Sequence, residues 1–236
     1  ALPPHTTSNI AGGQWSPASV YEDASLTPQF QRQFGEAMKL SYRYFQNLVG
    51  PKYGVRWISN YEFSSEPRPT DDLPHNYASM YPQLNILGPS EHPFPLPFAT
   101  HYDTMLIEPA IFLNRLMEDF YGAGGKIRVK EFQDFNEVLT LEEPVIINCT
   151  GLGARDLFDD ELLFPIKGQL SFILPQKEID YITITDGTYM FPRGDGILLG
   201  GTFEYNNWDL TPDPAETQRI IREQSAFFKA MKDPWG

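Results

Sequence analysis

Val145-Ile146-Ile147-Asn148-Cys149-Thr150-Gly151 is an apolar run closed by a small, turn-prone pair. Three consecutive β-branched residues suit a strand covered on both faces, and Thr-Gly suits a tight turn at its end. A strand of that kind belongs in a parallel sheet beneath helices, so this stretch sets the expectation of an α/β fold.

The flanks extend the pattern. Thr104–Ile107 reads as a strand, and Glu108-Pro109 opens a helix with proline in its first turn. Ile111, Phe112, Leu116 and Phe120 line its apolar side, and the run from Gly122 to Gly125 ends it. Lys126–Phe132 reads as a further strand, with Cys149 as a small buried strand residue in the next. Toward the N-terminus, Phe30, Phe34, Met38, Tyr42 and Phe45 recur at helical spacing over 28–49, and Gly50-Pro51 stops them. Val55–Phe63 alternates as a strand, with Val55, Trp57 and Tyr61 on one face and Ile58 out of phase. Residues 64–100 carry prolines at 67, 69, 74, 82, 89, 93, 95 and 97, and read as irregular surface chain with a strand or two at most. Residues 1–20 read as loop with no more than a short helix. Beyond the apolar run, Gln169–Leu174, Tyr181–Thr185, Thr188–Phe191 and Ile197–Phe203 are short strands parted by Pro, Asp and Gly, an antiparallel meander. Pro214–Met231 is a helix carrying Ile220, Ile221, Phe227 and Phe228.

Composition bounds the function. The 236 residues hold one sizeable core or two lobes of roughly 100 residues each. A net charge of −13 with no basic stripe argues against a nucleic-acid partner. No apolar run approaches the ~18 residues of a membrane span. The single cysteine excludes a disulfide within the chain, and His5, His75, His92 and His101 show no metal-ligand spacing. There is no GxSxG, no Walker loop and no GxGxxG. Chemistry must therefore come from a cofactor or from sequence outside these residues.

Three stretches, taken together, resemble the D-amino-acid oxidase family. The first is His5-Thr6-Thr7-Ser8-Asn9-Ile10-Ala11-Gly12-Gly13-Gln14-Trp15-Ser16-Pro17, similar to the family's flavin-wrapping TTS-x-x-AGG-x-W-x-P segment. The second is the Val145–Gly151 run with Leu152-Gly153-Ala154. The third is Tyr189-Met190-Phe191-Pro192-Arg193 with Leu199-Gly200-Gly201-Thr202-Phe203-Glu204 and Asn207-Trp208-Asp209, similar to the family's hairpin over the substrate. Between them, Pro165-Ile166-Lys167-Gly168-Gln169 resembles a P-x-R-G-Q turn, with Lys in place of Arg.

The resemblance implies an FAD enzyme. It implies cofactor contacts from Thr6, Thr7, Ser8, Gly12, Gly13, Gln14, Phe132, Thr150 and Gly151, with the glycine pair letting backbone approach the flavin. Tyr189 is the implied active-site contact to substrate. Arg193 could hold an acidic side chain or face solvent, and the solvent-facing reading is preferred. The implied chemistry is oxidative deamination of a D-amino acid, by hydride transfer to flavin N5, to the 2-oxo acid, ammonia and hydrogen peroxide. The substrate partners are a small amino acid and molecular oxygen. FAD is expected to be non-covalent, since no cysteine is well placed for a link. The family's GxGxxG unit is expected before Ala1 and its carboxylate-clamping Arg after Gly236, which reads the chain as truncated.

The implied fold is α/β, with α+β character in the second lobe: a partial FAD-binding, Rossmann-like lobe (1–20 and 104–165) interleaved with a substrate lobe on a mixed or antiparallel sheet (21–103 and 166–236). A homodimer and an intracellular location, cytoplasmic or peroxisomal, accompany it. The alternatives are a glycine- or sarcosine-type amine oxidase, and a catalytically silent fragment that has lost the cofactor.

Overall fold

The computed structural model describes residues 3, 5–16, 27–68 and 79–232. Pro17, His75 and the prolines at 69 and 74 lie outside the described residues. The elements in order are α1 (Thr7–Ile10), α2 (Pro28–Asn47), β1 (Val55–Ser64), β2 (Asn85–Leu87), β3 (Phe98–Ile107), α3 (Pro109–Gly122), α4 (Phe135–Val138), α5 (Ala154–Phe158), β4 (Ile166–Lys167), β5 (Leu170–Ile173), β6 (Tyr181–Ile184), β7 (Tyr189–Arg193), β8 (Gly196–Gly200), β9 (Glu204–Tyr205) and α6 (Pro214–Lys229).

The helices start where their sequences say. Thr27 caps α2 by accepting from the Phe30 amide at 3.1 Å, and Asp213 caps α6 through the Ala215 amide at 2.7 Å. Proline occupies the first turn of α2, α3 and α6, where no intrahelical donor is needed.

The fold is mixed α/β around a seven-stranded sheet of order β2-β3-β1-β6-β7-β8-β5. β1 and β6 run parallel, and the other neighbours are antiparallel. The register sorts the side chains onto two faces. Val55, Phe63, Ala99 and Met105 fall on one face, packed with Tyr42 of α2 at one end and with Phe227 and Phe228 of α6 at the other. Ile58, Asn60 and Glu62 fall on the opposite face with Tyr102, Leu106, Ile182, Tyr189, Phe191 and Leu198. Phe63, Met105, Leu106, Ile182 and Leu198 are fully buried, each worth about 1.5–3 kcal/mol on transfer from water. Ile58 is out of phase because both faces of β1 are covered. Strands β5 to β8 lie where alternation put them, but β5 pairs with β8 and not with β6, so only β6 to β8 form the expected meander. The lobe boundary expected at 103/104 falls inside β3.

Two expected strands do not form. Lys126–Phe132 and Val145–Cys149 run without strand pairing, Val145 and Ile147 are 76% and 81% exposed, and Cys149 is exposed rather than buried. β-propensity marks a segment that would suit a sheet, but a strand also needs a neighbour's amides and a covering layer. Among the described residues nothing supplies either to these segments. The same deficit leaves Ile111, Leu116 and Phe120 exposed on α3.

Candidate active site

Residues 6–15 form a strap along the end of β3. Thr6 is the N-cap of α1, yet its hydroxyl makes no capping bond and is sealed from solvent without a partner among the described residues. Thr7 and Ser8 are exposed on α1. The Gly13 carbonyl accepts from the Ile107 amide at 2.7 Å, and the Trp15 amide donates to the Met105 carbonyl at 2.9 Å. The Thr104 hydroxyl donates to the Trp15 carbonyl. Gly13 has φ +83°, and a Cβ there would meet the Ile107 oxygen at 2.2 Å, so no other residue fits. A Cβ on Gly12 would meet the Phe191 ring at 2.9 Å. Both glycines thus serve a close approach of backbone to protein, a role the sequence reading did not assign them.

Tyr189 is held by a second pair of missing side chains. A Cβ on Gly200 would lie 2.1 Å from its ring and one on Gly201 2.5 Å from it, so the phenol lies flat against β8. Its ring centroid is 5.2 Å from that of Phe191, which lies under Gly12. Tyr189, Phe191 and Gly12 are therefore contiguous on one face of the sheet. The Tyr189 hydroxyl makes no hydrogen bond among the described residues, and burial raises its pKa, so it stays a protonated donor. A polar cleft of about 830 Å³, lined in part by Gly201, Thr202, Glu204, Lys167 and Arg219, opens toward α6 and is not lined by Tyr189.

The same face carries a polar row that motif reading missed. Gln14 donates through Nε2 to Asn60 Oδ1 at 3.2 Å, and the fully buried Asn60 leaves its own Nδ2 without a partner among the described residues. Tyr102 donates to Glu62 Oε1 at 2.5 Å, and Arg68 pairs with Glu62 Oε2 at 3.2 Å. Burial first, and the Glu62 charge second, push the Tyr102 phenol far up and that of Tyr81 to about 12. Tyr81 stands edge-on to Tyr102 at 4.8 Å. The available signal was Ile58 followed by Asn60 and Glu62 at two-residue spacing, which marks a second covered face.

The remaining candidates stand apart. Phe132 lies under the Lys130 ammonium at 4.7 Å, the Thr150 hydroxyl donates to Asn148 Oδ1 at 2.7 Å, and Gly151 has open space around it. No hydrogen bond, ion pair or ring contact among the described residues joins these three to the strap. Arg193 does not face solvent as preferred from sequence. Its side chain is 2% exposed, because Asp195, the Phe172 ring and two strap carbonyls surround it.

A family model described as FAD dependent oxidoreductase matches residues 1–235. A D-amino acid oxidase of Dugesia ryukyuensis is 28% identical over 237 residues, 98% of this chain and 68% of that protein. A D-aspartate oxidase of Homo sapiens is 27% identical over 221 residues, 92% of this chain and 63% of its own length. The chain thus spans about two thirds of the length of these relatives. Among solved structures, glycine oxidase from Geobacillus kaustophilus superposes with a TM-score of 0.65 at 14% identity, covering 93% of this chain and 67% of that one. At that identity the likeness concerns the fold alone.

Proposed function

Because the chain belongs to the FAD-dependent oxidoreductase family, we propose that the whole protein oxidatively deaminates a D-amino acid to the 2-oxo acid, ammonia and hydrogen peroxide. The relatives matched over nearly the whole chain are oxidases of D-amino acids and of D-aspartate, which supports the substrate class.

The residues present fit the cofactor. Among the described residues, the sealed, unpartnered Thr6 hydroxyl and the exposed hydroxyls of Thr7 and Ser8 offer polar partners to a phosphate- and ribose-bearing ligand, and Asn60 Nδ2 is a second orphaned donor on the strap's side of the sheet. Thr6, Thr7, Ser8, Gly12, Gly13 and Gln14 would hold it from one strap, while Phe132, Thr150 and Gly151 stand apart from that strap and are assigned to the cofactor on the resemblance alone. When bound, FAD supplies the two-electron acceptor for the hydride from the substrate Cα and returns those electrons to oxygen.

The chain's own residues bind and orient. The observation that carries the reading is the Tyr189 hydroxyl, which makes no hydrogen bond among the described residues and is fixed on the same face as Gly12 and Phe191. It would donate to the substrate carboxylate, and the rigid backing of Gly200 and Gly201 would keep that donor in place. Leu198, Ile182 and Phe191 form a dry floor on that face. Position and exclusion of water are what this chemistry asks of a protein. Titration of the protein with FAD tests the cofactor. Flavin bands that are released by acid precipitation are expected, and a protein that stays colourless in excess FAD would refute the assignment.

A further inference from the structure

We propose that Arg193 is a positioning residue that clamps the strap onto the sheet and thereby sets flavin affinity. The proposal rests on the FAD reading above and adds to it Arg193, a residue of the third stretch that the resemblance assigned no cofactor role.

Arg193 ends β7, two residues from Phe191 on the same face. Its side chain spends all three nitrogens. Nε donates to Asp195 Oδ1 at 2.9 Å and Nη2 to Oδ2 at 2.5 Å, a bidentate pair that fixes the plane of the guanidinium. Nη1 is left aimed at the strap, where it donates to the Ala11 carbonyl at 2.8 Å and to the Asn9 carbonyl at 3.3 Å. The Phe172 ring lies 5.1 Å from the guanidinium carbon and shields it. Asp195 is half exposed, so its role is to orient the arginine, while the buried contacts go to the strap.

The consequence is geometric. Asn9 and Ala11 end α1 and lead directly into Gly12 and Gly13. The strap is thus fastened twice, by Arg193 at Asn9 and Ala11 and by the β3 edge at Gly13 and Trp15. Thr6, Thr7 and Ser8 lie beyond that first fastening, on a helix that neighbours α3 but makes no side-chain cap and buries no residue. Loss of the guanidinium would free that end while the Gly13–Trp15 ladder stayed in place. A lysine could reach Asp195 or the carbonyls but cannot serve both in one plane.

The test uses the holoprotein and its Arg193→Gln, Arg193→Lys and Asp195→Asn variants. Three readouts are taken: FAD affinity by flavin fluorescence, the shape of the bound-flavin absorption band, and amide hydrogen exchange of the apoprotein. In Arg193→Gln, FAD binding should weaken by about tenfold or more. The flavin band should shift, and exchange should rise over residues 5–12 while β7 and β8 remain protected. Arg193→Lys should recover part of the affinity, and Asp195→Asn should weaken it less than Arg193→Gln. If Arg193→Gln does not fold, the Asp195→Asn and Arg193→Lys results decide alone. Wild-type affinity in the variants of a flavin-binding parent would overturn the clamp and leave the FAD reading standing. A parent that binds no FAD would overturn both.

Discussion

A methyl group on Gly12 would sit 2.9 Å from two carbons of the Phe191 ring, so the strap rides on β7 with no room between them. Gly12→Ala should therefore lift the strap or turn the ring, at a cost of about 1–3 kcal/mol. Phe191→Leu should relieve the clash, making the double variant more stable than the sum of the singles predicts. Thermal unfolding of the four proteins checks this; strict additivity would mean that strap and ring do not touch in solution.

Tyr189→Phe in the active protein should raise KM and alter kcat less, because a ground-state contact to the substrate carboxylate is lost. The loss should correspond to about 1.5–3 kcal/mol, the range for hydrogen bonds to charged groups. Gly200→Ala should do more damage, since the added carbon would occupy the space of the ring at 2.1 Å. Unchanged steady-state kinetics in Tyr189→Phe would return the residue to a purely structural role.

The His101 ring lies tilted against Tyr61 with centroids 4.6 Å apart, and burial lowers its pKa against an opposing pull from Asp103. A lowered folded value means that the unfolded chain takes up the proton first. The stability held above the ordinary imidazole value of 6.5 should then fall as pH drops below it, until the folded form titrates too. His101→Gln should lose less stability than the parent between about pH 8 and about pH 5. Parallel unfolding curves across that window would show that the imidazole is not the group responsible.

Val145 and Ile147 lie in a segment without strand pairing and are 76% and 81% exposed. Exposed apolar segments of this kind drive self-association. Ile147→Lys in these 236 residues should reduce light scattering and binding of an apolar dye, without changing the thermal transition of the seven-stranded sheet. Scattering equal to the parent's would place the sticky surface elsewhere.

These contrasts show what kind of information a sequence carries. The hairpins of β6, β7 and β8 were legible because each strand pairs with the next across an Asp- and Gly-marked turn, as Tyr189 does with Ile184, whereas β5 joins β8 and not its neighbour in sequence. Helix α2 was legible because its aromatic spacing and its Thr27 cap are local. Val145–Cys149 was misread because β-branching marks a candidate strand, whereas pairing depends on a partner elsewhere. The roles of Asn60 and Arg193 were illegible for a related reason. Asn60 meets Gln14 across 46 residues, and Arg193 meets Asn9 and Ala11 across 184 and 182. No pattern within a window of the chain records such a meeting. Motifs located the Gly12-Gly13 and Gly200-Gly201 pairs, but only the packing shows that they make room for Ile107, Phe191 and Tyr189.

The most direct measurement of the central claim is product formation by the FAD-loaded protein from paired D- and L-amino acids, glycine and sarcosine, with oxygen present. The account predicts hydrogen peroxide and ammonia in equal amounts from one or more D-amino acids, and neither product from their L-enantiomers. A protein that carries FAD yet yields peroxide only from glycine or sarcosine, or from none of these compounds, would contradict it.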